Sequence, residues 1–409
     1  MSVKSVIMEE FNSYTKNIKI TLVILAVLFL GFLASGIQIL FFGLGYTDMN
    51  NIFAMGIWIG LDLSFVVLGG GAFFTGFILY IFRNDKLQPI INSAVLIGFL
   101  CYLFTLVLLV FDIGQPIRAV FAFMYPNWGT HLMPKSMLTE VVFCLSLYFS
   151  ILFIEMIPIV FKHKVLDKFP IIHGIGHYLH KIMWIFAAAG TFLSIFHQGS
   201  LGGGMWGVLF GKAGWYRTHL FFLAIAGAMA AGPSFIILCT WIAGKVKKKE
   251  VVPKSTFHSL AKISGIMFII YFVFRIYDLY QLNTVIVPAF DRSFLDLWGG
   301  YYGIWILVVE LTLCFIPVIL LNIKKLREKE NLMVIGVSSA VVGMLFHKFG
   351  AILLHGFSVP NFPWKPFNAY MPSPQEWLLS FGSVACMILI YMWCAKYLPF
   401  FPHLEKDQH

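Results

Sequence analysis

The chain has 409 residues, 59% hydrophobic and 12% charged, with a mean hydropathy of +0.85 and a formal charge of +10. Soluble domains carry roughly a quarter charged residues, so half that share, together with 43 Phe, 16 Tyr and 11 Trp, makes lipid the solvent and leaves no water-soluble domain. The positive charge does not indicate nucleic acid, because the basic residues sit in short loops between apolar runs.

A helix needs about twenty apolar residues to cross the hydrocarbon core. Ten runs qualify, near residues 18–43, 52–82, 90–112, 137–161, 179–198, 216–243, 256–280, 301–322, 332–356 and 375–398. The first is too long for the core of a signal peptide and lacks a clear cleavage site, so it reads as a retained helix. Strand alternation with short turns is missing, which excludes an outer-membrane barrel. All six cysteines fall inside apolar stretches and none forms a CxxC, so Fe–S ligation, c-type haem attachment and a disulfide framework are not encoded. The expected fold class is an all-α membrane protein of about ten helices.

Loop charge orients the helices. With both termini on one side, that side collects 21 of the 29 Lys and Arg residues against seven opposite, with Lys348 in mid-helix. Both termini are therefore expected in the cytoplasm, in the inner membrane of a prokaryote. A faint repeat runs through the chain. "VFDIGQP" and "IYDLYQL" pair Asp112 with Asp278; "EMIPIVF" and "CFIPVIL" pair Pro158 with Pro317; His197 before "QGS" pairs with His355 before "GFS". Helices four apart share a direction, so the repeat suggests two parallel-related four-helix bundles plus flanking helices. The expected divisions are 1–51, an N-terminal segment and first helix; 52–198, a first bundle; 199–356, a second bundle; and 357–409, an outer loop, tenth helix and tail.

An ionisable side chain within a bilayer costs about 2.5–3.5 kcal/mol on insertion scales and usually has a partner or a task. In chain order these are Asp62, some ten residues into the second run; Asp112 and Arg118 around "DIGQP"; Glu140 in "PKSMLTE"; and His197 with Gln198 and Ser200. Arg217, His219, Arg275, Asp278 and His355 belong to the same outer level. Glu155, before Pro158, lies near the inner end, either as an interfacial side chain reaching water or as part of an inner proton path. Proton-exchanging groups so concentrated at one level suit a quinone headgroup, whose carbonyls need hydrogen-bond donors and whose reduction needs two protons. Asp112 and Arg118 read either as an ion pair at a helix end or as a place where another subunit docks. The run "GGGAFFTG" reads as a close helix contact through small residues, and "GSLGGGMWG" follows no strand, so it is no phosphate loop.

The stretches "MGIWIGLDLSFVVLGGGAFF", "FDIGQPIR", "PKSMLTE", "HQGSLGG" and "YMPSPQEW" together resemble the NrfD/polysulfide-reductase membrane-subunit family, in its ten-helix branch. That resemblance implies two four-helix bundles with flanking helices, no haem, Fe–S cluster or metal in this chain, and a quinone site near the extracytoplasmic face. It implies menaquinone or ubiquinone as substrate and a ferredoxin-like Fe–S subunit docked on that face. A multihaem cytochrome or a molybdopterin- or hydrogenase-type catalytic subunit would stand behind it. Asp62, Asp112, Arg118, Ser136, Glu140 and His197 fall on the family's motif positions. Ala54 and the segment "LHGFSVPNF" depart from the hydrogenase-type pattern. Two other functions stay open: a haem b cytochrome subunit, which needs paired facing histidines, and a secondary transporter, which the parallel repeat permits.

Overall fold

The computed structural model describes residues 14–50, 56–124, 128, 137–163, 166, 170–201, 219–291, 293–295, 303–353 and 371–401. Ser136, Ala54, Arg217, His355 and the "LHGFSVPNF" segment lie outside them. Among the described residues the chain is helical, with no β-strand.

Ten helices follow the apolar runs: α1 (Lys16–Phe42), α2 (Trp58–Tyr80), α3 (Ile91–Asp112), α4 (Met137–Val160), α5 (Met183–Gly199), α6 (Leu220–Lys247), α7 (Lys254–Gln281), α8 (Gly303–Leu320), α9 (Glu330–Leu353) and α10 (Pro374–Tyr397). Eight described spans are long and apolar enough to cross a membrane. A ninth is broken, with Gly174–Lys181 and Met183–Gly199 meeting at 56°, and Ile304–Leu320 is a shorter apolar helix. The chain is an integral, multi-pass membrane protein.

Helices α2, α3, α4 and α5 pack in a ring, and α6, α7, α8 and α9 repeat the same order of neighbours. The corresponding helices α3 and α7 end in the paired Asp112 and Asp278 regions, and α4 and α8 carry the paired Pro158 and Pro317. The two rings meet through α2 and α6. This explains why α2 has no lipid face: nearly all of it from Trp58 to Leu79 is buried. At the contact the backbones touch. A Cβ on Gly71 would lie 2.3 Å from the carbonyl carbon of Gly232, so the glycine run is a close helix contact, as its composition implied.

α1 and α10 form a pair beside the first ring, and α1 turns Val27, Leu30, Phe41 and Phe42 outward. With lipid as solvent such exposure is the favourable arrangement. The "PSPQEW" stretch caps α10. The Glu376 backbone N–H donates to Ser373 Oγ at 3.4 Å, the Ser373 N–H donates to Glu376 at 2.6 Å, and Pro374 takes the first turn, a capping box with proline where its missing N–H costs nothing. The Asp48 N–H also donates to Glu376, at 3.2 Å, so one buried carboxylate ties the α1–α2 loop to α10. One face carries Arg83, Lys86, Lys245, Lys247, Lys254 and Lys324–Lys329; α3 and α5 end on the opposite one.

Candidate functional site

The first ring gathers its polar residues at the end opposite the lysines. Asp62 is the fifth residue of α2 and is buried, and its Oδ1 has no hydrogen-bond partner among the described residues. The expected depth of ten residues needs correction. The helix starts at Trp58, so Asp62 lies only ~6 Å along the axis from that start at about 1.5 Å per residue. That brings it closer to the level of Asp112 at the end of α3.

Asp112 and Arg118 do not form the ion pair expected of them. Trp58, fully buried, donates its indole N–H to Asp112 Oδ1 at 3.2 Å. The chain then turns at Gly114, whose φ of +66° an L side chain rarely adopts, and a Cβ there would press on Leu44 at 2.8 Å. Beyond this turn the 3-10 helix Pro116–Phe123 carries Arg118 outward, exposed beside Ile117 and Val120. No salt bridge joins the two among the described residues. Asp112 belongs to the interior and Arg118 to the surface.

Glu140 lies in the first turn of α4 and faces the end of α5. Its carboxylate accepts from Ser200 Oγ, at 3.2 and 3.3 Å to the two oxygens, and from Cys144 Sγ at 3.3 Å. His197 Nδ1 stands 3.8 Å from Glu140 Oε1, beyond hydrogen-bond length. His197 is 1% exposed and neither ring nitrogen has a hydrogen-bond partner among the described residues, so the imidazole is open to a hydrogen bond from outside them. Gln198, one residue on, faces α2 instead, donating to the Val66 carbonyl at 2.8 Å. The structure thus brings Glu140, His197 and Ser200 together, places Asp62 and Asp112 nearby at the same end, and turns Gln198 aside.

Two tyrosines continue the polar interior, and sequence reasoning missed both. Tyr148 packs its ring 5.4 Å from His197 and 4.7 Å from Tyr102, centroid to centroid. Its buried hydroxyl has no hydrogen-bond partner among the described residues, while the Tyr102 hydroxyl lies 3.4 Å from the Val66 carbonyl and 3.5 Å from Ser194 Oγ. The signal was present: Glu140, Cys144 and Tyr148 recur every four residues, which puts them on one face of α4. Glu155 follows on the same face seven residues later. It is buried and lines a cavity of about 370 Å³ with Tyr80, Asn92, Lys162 and His180.

Residues 45–361 match the family described as Polysulphide reductase, NrfD. The chain belongs to the NrfD family. The menaquinone reductase integral membrane subunit of Nitratidesulfovibrio vulgaris is 37% identical over 371 residues, covering 88% of this chain and 86% of that protein. A probable Ni/Fe-hydrogenase 2 b-type cytochrome subunit of Escherichia coli is 26% identical over 390 residues, covering 90% and 89%. A selenate reductase subunit of Mesobacillus selenatarsenatis is 21% identical over 409 residues, covering 90% of each protein.

This NrfD-family chain carries a second polar cluster, in its other ring. Arg275 grips Glu310 with Nε and Nη2, at 2.7 and 2.8 Å, and reaches Asp278 with Nη1 at 2.6 Å. His219 Nε2 is 2.6 Å from Asp278 and His347 Nδ1 is 2.9 Å from Glu310. Arg275, Asp278 and Glu310 are all buried. Glu310 escaped the sequence reading, although a lone acid within "WILVVELTLCF" meets the criterion that singled out Asp62. Three histidines stand against carboxylates: His347 at Glu310, His219 at Asp278, and His197 near Glu140.

Proposed function

We propose that this chain is the quinone-reactive membrane subunit of a respiratory oxidoreductase complex, taking a menaquinone or ubiquinone headgroup at the Glu140–His197–Ser200 cluster. The observation that carries the reading is His197, buried 3.8 Å from Glu140 with no hydrogen-bond partner for either ring nitrogen among the described residues. The name of the relative from Nitratidesulfovibrio vulgaris, a menaquinone reductase subunit, supports the same substrate class and favours menaquinone.

When bound, the quinone supplies two-electron chemistry, which requires two protons at its carbonyl oxygens. His197 donates a hydrogen bond to one carbonyl. Glu140, oriented by Ser200 and part-exposed, exchanges the proton with the medium. Asp62 and Asp112 form a second carboxylate pair behind it, with Asp112 fixed by Trp58. Gln198 positions α5 through Val66, and Ser136 is assigned to the headgroup by its place in the sequence motif alone. Glu155 with its cavity forms an inner proton path from the opposite face.

The site's face is extracytoplasmic and both termini are cytoplasmic, following the lysine asymmetry. A ferredoxin-like Fe–S subunit docks on this face over the exposed Pro116–Phe123 segment and Arg118, and connects to a multihaem cytochrome or a molybdopterin- or hydrogenase-type subunit. This chain needs no redox cofactor of its own under that arrangement. Residues 52–198 form the substrate-binding unit and 199–356 its partner bundle.

Glu140→Gln and Asp62→Asn keep side-chain shape and remove proton exchange. Both variants are expected to assemble normally and to lose quinone-linked turnover by about 10²-fold, the lower range of a general acid–base contribution. Wild-type quinol-dependent rates in both would refute the assignment.

A further inference from the structure

We infer that Glu140, Cys144 and His197 form a zinc-binding site at the mouth of the first ring. For its consequence on turnover the inference rests on the quinone reading above; for metal binding it stands alone. One donor atom from each residue lies within 4.8 Å of the other two. Two of the pairs are closer, Cys144 Sγ to Glu140 at 3.3 Å and His197 Nδ1 to Glu140 at 3.8 Å. Around a tetrahedral zinc ion, with bonds of about 2.3 Å to sulfur and 2.0–2.2 Å to nitrogen and oxygen, ligand atoms stand ~3.3–3.6 Å apart. Two edges of that tetrahedron are thus nearly in place, and the third closes with a shift of about 1 Å.

The independent sign of a ligand is His197 itself, almost wholly buried with no hydrogen-bond partner for either ring nitrogen among the described residues. A thiol, an imidazole and a carboxylate select zinc over magnesium or calcium, which prefer oxygen alone. Three protein ligands leave the fourth position to water or to the Ser200 hydroxyl, 3.2 Å from Glu140. Glu140 is 24% exposed, so the cluster opens to the medium. The substrate reading gives Cys144 no task; the metal reading does. Binding converts the Cys144 thiol to a thiolate and releases its proton to solvent, so zinc affinity falls as pH falls. An ion held here occupies Glu140 and His197 together and blocks both proton exchange and headgroup contact.

The test uses the full chain within its purified complex, stripped with chelator and titrated with Co²⁺ as the spectroscopic probe. One Co²⁺ per chain should bind with a thiolate-to-metal charge-transfer band, and Zn²⁺ should abolish that band stoichiometrically. Cys144→Ala, and Cys144→Ser as a second variant that keeps a hydrogen bond to Glu140, should lose the band and weaken zinc binding at least tenfold. Both should keep quinol turnover, now insensitive to zinc concentrations that inhibit the unaltered complex. A missing band, or one that survives both substitutions, overturns the site. Zinc that binds through Cys144 yet leaves wild-type turnover untouched upholds the site and removes the substrate from Glu140 and His197.

Discussion

Arg275→Ala is expected to prevent the chain from accumulating in folded form. The guanidinium holds Glu310 by two parallel hydrogen bonds and Asp278 by a third, all buried. Removing it strands two carboxylates at once in a low-dielectric interior, and breaking even one buried pair costs about 3–5 kcal/mol. His219 and His347 each touch one of these acids and offset only part of that loss. Arg275→Lys should fail nearly as badly, since an ammonium cannot reproduce the planar fork. Adding Glu310→Gln to an Arg275→Met change should recover part of the lost stability, because the charge left behind is halved. The measurement is the melting temperature and yield of the detergent-solubilised chain. A melting temperature for Arg275→Ala within a degree or two of wild type would show that the cluster is not a structural tie.

Gly71→Val should be comparably severe for a steric reason. The added Cβ would meet backbone, with Gly232 carbon atoms at 2.3 and 2.5 Å. Unlike a flexible side chain, those atoms cannot swing aside, so α2 and α6 must separate. These are the helices through which the two rings join, so the cost should reach or exceed the ~3 kcal/mol upper end of usual overpacking penalties. Gly174→Ala, where a Cβ would meet nothing within 4 Å, controls for the loss of a glycine as such. Membrane accumulation of the two variants compares them directly; equal levels would mean that the rings can move apart freely.

Much of this architecture was legible because the bilayer imposes a simple rule of span length. Eight of the ten apolar runs became helices long and apolar enough to span, while the fifth is broken and the eighth is short, and the paired prolines and aspartates recur in the two rings. Legibility ended where partners come from far along the chain. Asp112 and Arg118, six residues apart, invited a local pairing, but Trp58 arrives from 54 residues earlier and takes the aspartate. The left-handed turn at Gly114 then carries the arginine away. Asp62 was placed too deep because an apolar run does not reveal where its helix begins. Glu310 lies alone in an apolar run, where its cost in lipid was readable. Cys144 and Tyr148 were readable too, by their four-residue spacing from Glu140.

The central claim is that a quinone headgroup meets this chain at Glu140 and His197. The most direct test is photolabelling of the purified complex with a photoreactive menaquinone analogue, mapped by mass spectrometry. The account predicts label on α4 within 137–148 and around the end of α5 within 191–201, suppressed by excess menaquinone and strongly reduced in His197→Ala. Label confined to the Arg275–Glu310 ring, or undiminished in His197→Ala, would contradict it.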